Sequence, residues 1–286
     1  MNRYLLAGIV SLTFLIPAWG QEKLQGMRVA ELAASLGHTD LIAAARVDVA
    51  RIDLPAALDW ASDAIKESAE DKAELQQGAQ QPVQVMKAFR EAGGRDVIVL
   101  VYQATVESGR LPADVVAIVT AAPGKAKGLA ATMRLLIGEG AYETIVRGDT
   151  IVVGPRHRVQ ADEAPAKPSL LLAKALDASG AGTLQAALLL SDDYRRVIRE
   201  TLPAAPAQFN HISGKEIADG FAWASLSLDL PPEPRLKLIV QATSEAAAQS
   251  FAKATKNWYE VAGPIEEIRA QIPKFDTIAP APRRFF

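Results

Sequence analysis

Hydrophobic and polar positions change period several times along the chain, and each change marks an element. Residues 41–50 read as a strand, with Ala45, Val47 and Val49 on one side and Arg46, Asp48 and Ala50 on the other. Leu54, Leu58, Ala61 and Ile65 then recur at the spacing of a buried helical stripe, with Asp53 as the N-cap and Pro55 in the first turn. Residues 68–81 are polar and lose that period, which predicts a helix end and a loop. Pro82 is expected to start a new helix that turns Val85, Phe89 and Ala92 to the core and stops at Gly93-Gly94.

Two apolar runs without alternation follow, Val97-Ile98-Val99-Leu100-Val101 and Val115-Val116-Ala117-Ile118-Val119. Such runs predict strands covered on both faces, inside a sheet rather than at its edge. A helix from Pro123 presents Leu129, Met133 and Leu136, and residues 142–154 read as a hairpin about Gly148-Asp149. Beyond residue 168 come a short helix (170–176), a strand (183–190) and a helix (192–202). Strands starting at Phe221 and Leu236 are joined by Pro231-Pro232-Glu233-Pro234. Ala247, Phe251, Ala254, Trp258 and Val261 then give a clean amphipathic helix, and residues 265–272 predict one more short helix.

This order repeats. Ile118-Val119-Thr120-Ala121 lines up with Ile239-Val240-Gln241-Ala242, and Leu41-Ile42-Ala43-Ala44 with Leu184-Gln185-Ala186-Ala187. The expected class is α+β, built from two degenerate β-α-β-β-α repeats over 41–160 and 183–262, forming antiparallel or mixed sheets covered by helices. The first copy is longer, and its extra residues are expected in a helical excursion around 67–90. Residues 21–161 form the first module, 162–168 a linker with two prolines, 169–272 the second module and 273–286 a tail.

Residues 1–20 read as a signal peptide: Arg3 supplies the charge, 4–16 an apolar run too short to span a bilayer comfortably, and Ala18-Trp19-Gly20 a cleavage site. The mature chain would start at Gln21 and carry no transmembrane segment. Of 286 residues, 49% are hydrophobic and 22% charged, which suits a globular fold, and a net charge of −2 argues against nucleic acid as a partner. The chain has no cysteine, which excludes disulfides, thiol nucleophiles, thiolate metal sites and a lipidated cysteine after the leader. These features point to a periplasmic or secreted protein of the bacterial envelope.

Chemistry is harder to find. The sequence holds no nucleophile elbow, dinucleotide turn or zinc-helix motif, and Gly124-Lys125 and Gly214-Lys215 lack the rest of a phosphate loop. His38, His157 and His211 lie far apart without ligand spacing, so no metal, cofactor or catalytic residue is expected. Asp192-Asp193 follows a strand but reads as a helix cap and first-turn acid. Arg46 and Asp48 read as an edge or cross-strand ion pair, and Arg147-Gly148-Asp149 as hairpin-turn chemistry. One positive feature remains. Ser225, Ser227 and Asp229 alternate with Leu226, Leu228 and Leu230, and Lys237 and Gln241 fall on the polar side of the next strand. A sheet face carrying Ser225, Ser227, Lys237 and Gln241 is therefore expected to meet water or a partner. The expected function is non-enzymatic binding or a structural role in the envelope, its partner unknown, another envelope protein being one candidate. An envelope hydrolase with a divergent site and a carrier of an apolar ligand are the alternatives.

Overall fold

Strand β1 (Leu41–Asp48) pairs on one side with β2 (Gly94–Tyr102) and on the other with β6 (Leu184–Leu189), and this seam joins the two halves of the chain. The computed structural model describes residues 26–64, 69–103, 114–137, 142–160, 164–180, 182–202, 212–229 and 234–261. With β3 (Asp114–Ala121), β4 (Tyr142–Arg147), β5 (Thr150–Pro155), β7 (Phe221–Asp229) and β8 (Arg235–Ala242), the strands form one eight-stranded sheet in the order β4-β5-β3-β2-β1-β6-β7-β8. Every neighbouring pair is antiparallel. The α+β class is thus present, and both halves share a single antiparallel sheet.

Helices cover both faces. On one, α1 (Gly26–Ala34) and α6 (Leu170–Ser179) pack together over the central strands, and Val29, Ala33, Leu172 and Leu176 meet Ala44, Leu100 and Ala187. A side chain at Gly26 would run into the Ala173 carbonyl, so glycine there sets how closely α1 approaches α6. On the other face lie α2 (Leu54–Ala64), α3 (Ala69–Glu91) and α4 (Ala126–Ile137). Leu54 and Leu58 of α2, with Val83 and Met86 of α3, pack on Val47, Val97 and Leu184, while Leu129 and Ala130 of α4 pack on Val119 and Ile151.

Several boundaries differ from the sequence pattern. Residues 69–91 form one helix with Pro82 inside it, so the polar stretch from residue 69 belongs to the helix that Pro82 was expected to start. After Pro82 the helix lies against the sheet, where Val83, Met86 and Phe89 make their contacts. Strand β1 stops at Asp48 in a 3₁₀ turn, Val49–Arg51, whose carbonyls at Val49 and Ile52 accept from the Arg90 guanidinium. Two short helices went unanticipated: α5 (Arg156–Val159) and α8 (Gly214–Gly220). The signal for α8 stands in the sequence, since Ser213 and Glu216 form a capping box in which each side chain accepts from the other's backbone N–H. Helix α7 (Asp192–Thr201) is capped by Ser191, whose Oγ accepts from Tyr194 N at 3.2 Å; Asp192 and Asp193 sit in its first turn. Helix α9 (Glu245–Val261) closes the described chain.

The hairpins β2–β3 and β7–β8 share two details. Each carries a register shift at its entry, between Gly94 and Asp96 and between Phe221 and Trp223. Each is closed by a bond from the residue after its second strand: Ala122 N to Gly93 O at 2.7 Å, and Thr243 N to Gly220 O at 2.8 Å.

Candidate binding face and the charged clusters behind it

Strand alternation sends Ser225 and Ser227 of β7 to one face and Leu226 and Leu228 to the other, and the structure decides which is wet. The serines lie under α6: Ser225 is 2% exposed and Ser227 6%, and Ser227 Oγ donates to Ser179 O at 2.9 Å. Lys237 extends along the same side and donates to Ala178 O at 2.8 Å, while Gln241 is half-buried and donates to Ala242 O. The expectation of a solvated serine face is corrected here. Helix α6 brings the Ser179 carbonyl to the buried Ser227 hydroxyl and the Ala178 carbonyl to the exposed Lys237 ammonium, while the buried Ser225 hydroxyl has no hydrogen-bond partner among the described residues.

The leucines occupy the open side. Directly paired residues share a face, so the ladder gives one row Val99–Ala45–Ala186–Leu226–Leu238 and a second row Val101–Ala43–Leu188–Ala224–Val240. Both rows are wholly apolar. Toward β1 and β2 they are covered or half-covered, but Leu188 is 43% exposed, Leu238 53%, and Leu236 on the next row 38%. In the first half, α2 and α3 follow the strand at the seam and bury that face. In the second half the helix that follows is α7, and none of its residues is buried. Six of its ten residues are charged, and its narrow apolar stripe of Tyr194, Val197 and Ile198 lies toward α8, where Ile198 meets Gly214, instead of on the sheet.

Two charged clusters lie on the α1–α6 face. The first surrounds Arg46, which is buried on a central strand, so of the two expected readings the cross-strand ion pair is present and the edge position is not. Arg46 Nη2 lies 2.6 Å from Asp96 Oδ1 and 3.2 Å from Asp48 Oδ2, and its Nη1 donates to Gln185 Oε1 at 3.3 Å. Thr120 Oγ1 donates to Asp96 Oδ2 at 3.0 Å, and Arg51 stands 3.6 Å from Asp48. Burial raises the Asp48 pKa against the pull of Arg46, and burial likewise raises that of Asp229.

The second cluster sits at the opposite end of β2 and draws in two histidines that sequence spacing left unrelated. Arg158 of α5 donates from Nη1 and Nη2 to the two Asp40 oxygens at 2.9 and 2.7 Å, from Nε to Asp114 Oδ2 at 2.9 Å, and from Nη2 to Gln103 O at 3.0 Å. Its guanidinium stacks over the Tyr102 ring, 4.9 Å from the centroid, and the His38 ring meets Tyr102 edge-on. His38 Nε2 donates to Arg158 O, and His157 Nε2 donates to Asp114 Oδ2, both at 2.9 Å. Burial opposes the charge of Asp114, but hydrogen bonds from His157 and Arg158 together outweigh it and hold its pKa below the usual carboxylate range. Burial raises the pKa of the Tyr102 phenol, whose hydroxyl has no hydrogen-bond partner among the described residues. Each guanidinium nitrogen of Arg158 is spent on the protein's own oxygens, so this arrangement fastens α5 to the starts of β1 and β3.

Other residues singled out by sequence fall as follows. Arg147 donates to Ser35 O and Val159 O, and Asp149 accepts from Gly124 N, so the Arg147-Gly148-Asp149 turn is tied down at both ends. Gly148 holds φ +60°, as hairpin-turn chemistry requires. His211 and residues 1–20 lie outside the described residues. Among the described residues, no group of three or more His, Asp or Glu is placed to hold a metal, and no helix is long and apolar enough to cross a membrane. No family model, curated protein or solved structure matches the chain.

Proposed function

We propose that this is a non-enzymatic binding protein of the bacterial envelope, and that it engages an apolar partner surface through the face of β6, β7 and β8 that carries Leu188, Leu226 and Leu238. One observation carries this reading: the sheet face buried by α2 and α3 in the first half is left with Leu188, Leu236 and Leu238 exposed in the second, beside the half-buried Leu226, because α7 packs on α8 and does not cover it. A contiguous apolar patch with no charged side chain in its rows marks a place where something docks. An amphipathic helix suits it, since helices fill the equivalent face in the first half.

The test is direct. Leu188→Ser/Leu238→Ser should abolish binding of a fluorescent amphipathic helical peptide and keep the wild-type melting temperature. Binding that survives the double substitution removes this face from consideration, and turnover of a substrate lost on replacing Arg158 or Asp114 would favour an envelope hydrolase.

Two further proposals complete the reading. The leader directs the chain to the periplasm or beyond and is cleaved after Gly20, which N-terminal sequencing of secreted protein will check by finding Gln21 first. The two halves are degenerate copies of a β-α-β-β-α unit. The matching register shifts at Gly94/Asp96 and Phe221/Trp223, and the equivalent closing bonds to Gly93 and Gly220, support this.

A further inference from the structure

The sheet has two edge strands, and they are finished differently. On one edge β4 is closed in: α4 and α5 pack against it, Arg134 Nη2 of α4 donates to Thr144 O at 3.0 Å, and residues 142–146 are half-buried. On the other edge, β8 exposes Arg235, Leu236, Lys237 and Leu238 in succession. Among the described residues its ladder runs to β7 alone, and no further backbone bond reaches it. The outer side of such a strand carries a row of N–H and C=O groups that can pair with a strand from another chain.

Proteins blunt open edges with prolines, bulges or charged side chains. Strand β8 has no proline, and its register with β7 runs unbroken from Arg235 to Gln241. Its lysine does not shield the edge either. Lys237 Nζ reaches inboard to Ala178 O at the end of α6, a helix that packs over β6 and β7. Alternation then sets what fits. Leu236 and Leu238 lie on the leucine face and Lys237 on the α6 face, so an added strand needs apolar side chains on one side and an acid near Lys237 on the other. A second copy fits poorly. Two β8 edges paired antiparallel would put Arg235 and Lys237 of both chains on one face, where like charges oppose each other.

We propose that the outer edge of β8 takes an added strand: an extended segment of a partner protein pairs antiparallel with residues 235–241, its apolar side chains beside Leu236 and Leu238 and an acidic side chain beside Lys237. The site is made of edge main chain, so it stands independently of the helix reading of the leucine face.

The probe is a blocked peptide, Thr-Val-Glu-Val-Glu-Val-Thr, titrated into the wild-type full chain. It is compared with one form N-methylated at both glutamates and another N-methylated at its first two valines. Successive amides of a strand point to opposite edges, and direction and facing together fix which peptide edge meets β8. One methylated form should therefore bind within about threefold of the parent, and the other at least tenfold more weakly. Equal binding by the two forms overturns the proposal, as does equal loss, which a helix on the leucine face would give, or no binding by the parent. Lys237→Glu should weaken the parent peptide at least fivefold and bind a peptide with lysines in place of the glutamates instead. Binding unchanged by Lys237→Glu overturns the acidic partner, as does self-association that competes with the peptide at micromolar concentration. The methylated pair uses the wild-type chain, so it decides the matter even where Lys237→Glu fails to fold.

Discussion

Arg46 and Asp96 meet at 2.6 Å across the β1–β2 pair, with both side chains almost closed off from solvent. Removing one partner of such a pair strands the other's charge in a poorly solvated place. Asp96→Ala is therefore expected to cost about 3–5 kcal/mol in denaturant unfolding. Arg46→Met/Asp96→Leu should recover part of that loss, because it removes both charges together. A double variant no more stable than Asp96→Ala would show that other contacts of Arg46, to Asp48 or Gln185, dominate.

The two sides of β7 should answer substitution in opposite ways. Ser227→Leu forces bulk beneath α6, where a side chain built at Gly182 already comes within 3.0 Å of Ser227 Cβ, and about 1–3 kcal/mol of stability should be lost. Leu238→Ser lies on the open face and should stay within about 0.5 kcal/mol of wild type. Thermal melts of the two single variants check this, and a reversed order would contradict the assignment of faces.

Acid should act on Asp114 with a definite sign. Its folded pKa lies below the unfolded value of 3.8, so the stability it contributes is present above that value and fades as pH falls through the folded one. Asp114→Asn should lose about 1–2 kcal/mol at pH 7 and show a flatter decline between pH 5 and 2. Asp48 and Asp229 have the opposite sign. Burial raises their pKa values, so protonation favours the folded state as pH falls toward 3.8. Unfolding curves for the wild type and each Asn variant across this range separate the contributions.

Two glycine substitutions probe the helices. Gly26→Ala drives a methyl group into the Ala173 carbonyl and should cost about 1–3 kcal/mol by lifting α1 from α6. Gly128→Ala, inside α4 with open space around it, should add up to about 1 kcal/mol by favouring the helix. Denaturant midpoints for the pair, measured side by side, are the check.

Residue period alone identified most strands and helices, because a strand or helix imprints its spacing on whatever it buries. The continuous runs at Val97 and Val115 rightly implied strands inside the sheet, and the Gly148-Asp149 turn implied its hairpin. The α8 cap is legible too, since Ser213 and Glu216 stand three residues apart as a capping box requires. Alternation along β7 correctly divided its residues between two faces but could not say which face would be covered. Burial depends on what packs above, and α6, nearly fifty residues away from Ser227 in sequence, offers the Ser179 carbonyl that the Ser227 hydroxyl meets. The leucines stay partly open because α7 packs on α8 instead of on them, a choice that the sequence around Leu188 does not record. The same limit hid both charged clusters: Arg46 meets Asp96, and Arg158 gathers Asp40, Asp114, His38 and His157, across separations that no local spacing encodes. Local chemistry thus set the elements and the polarity of each side, while the three-dimensional arrangement of distant helices decided which side became core and which became surface.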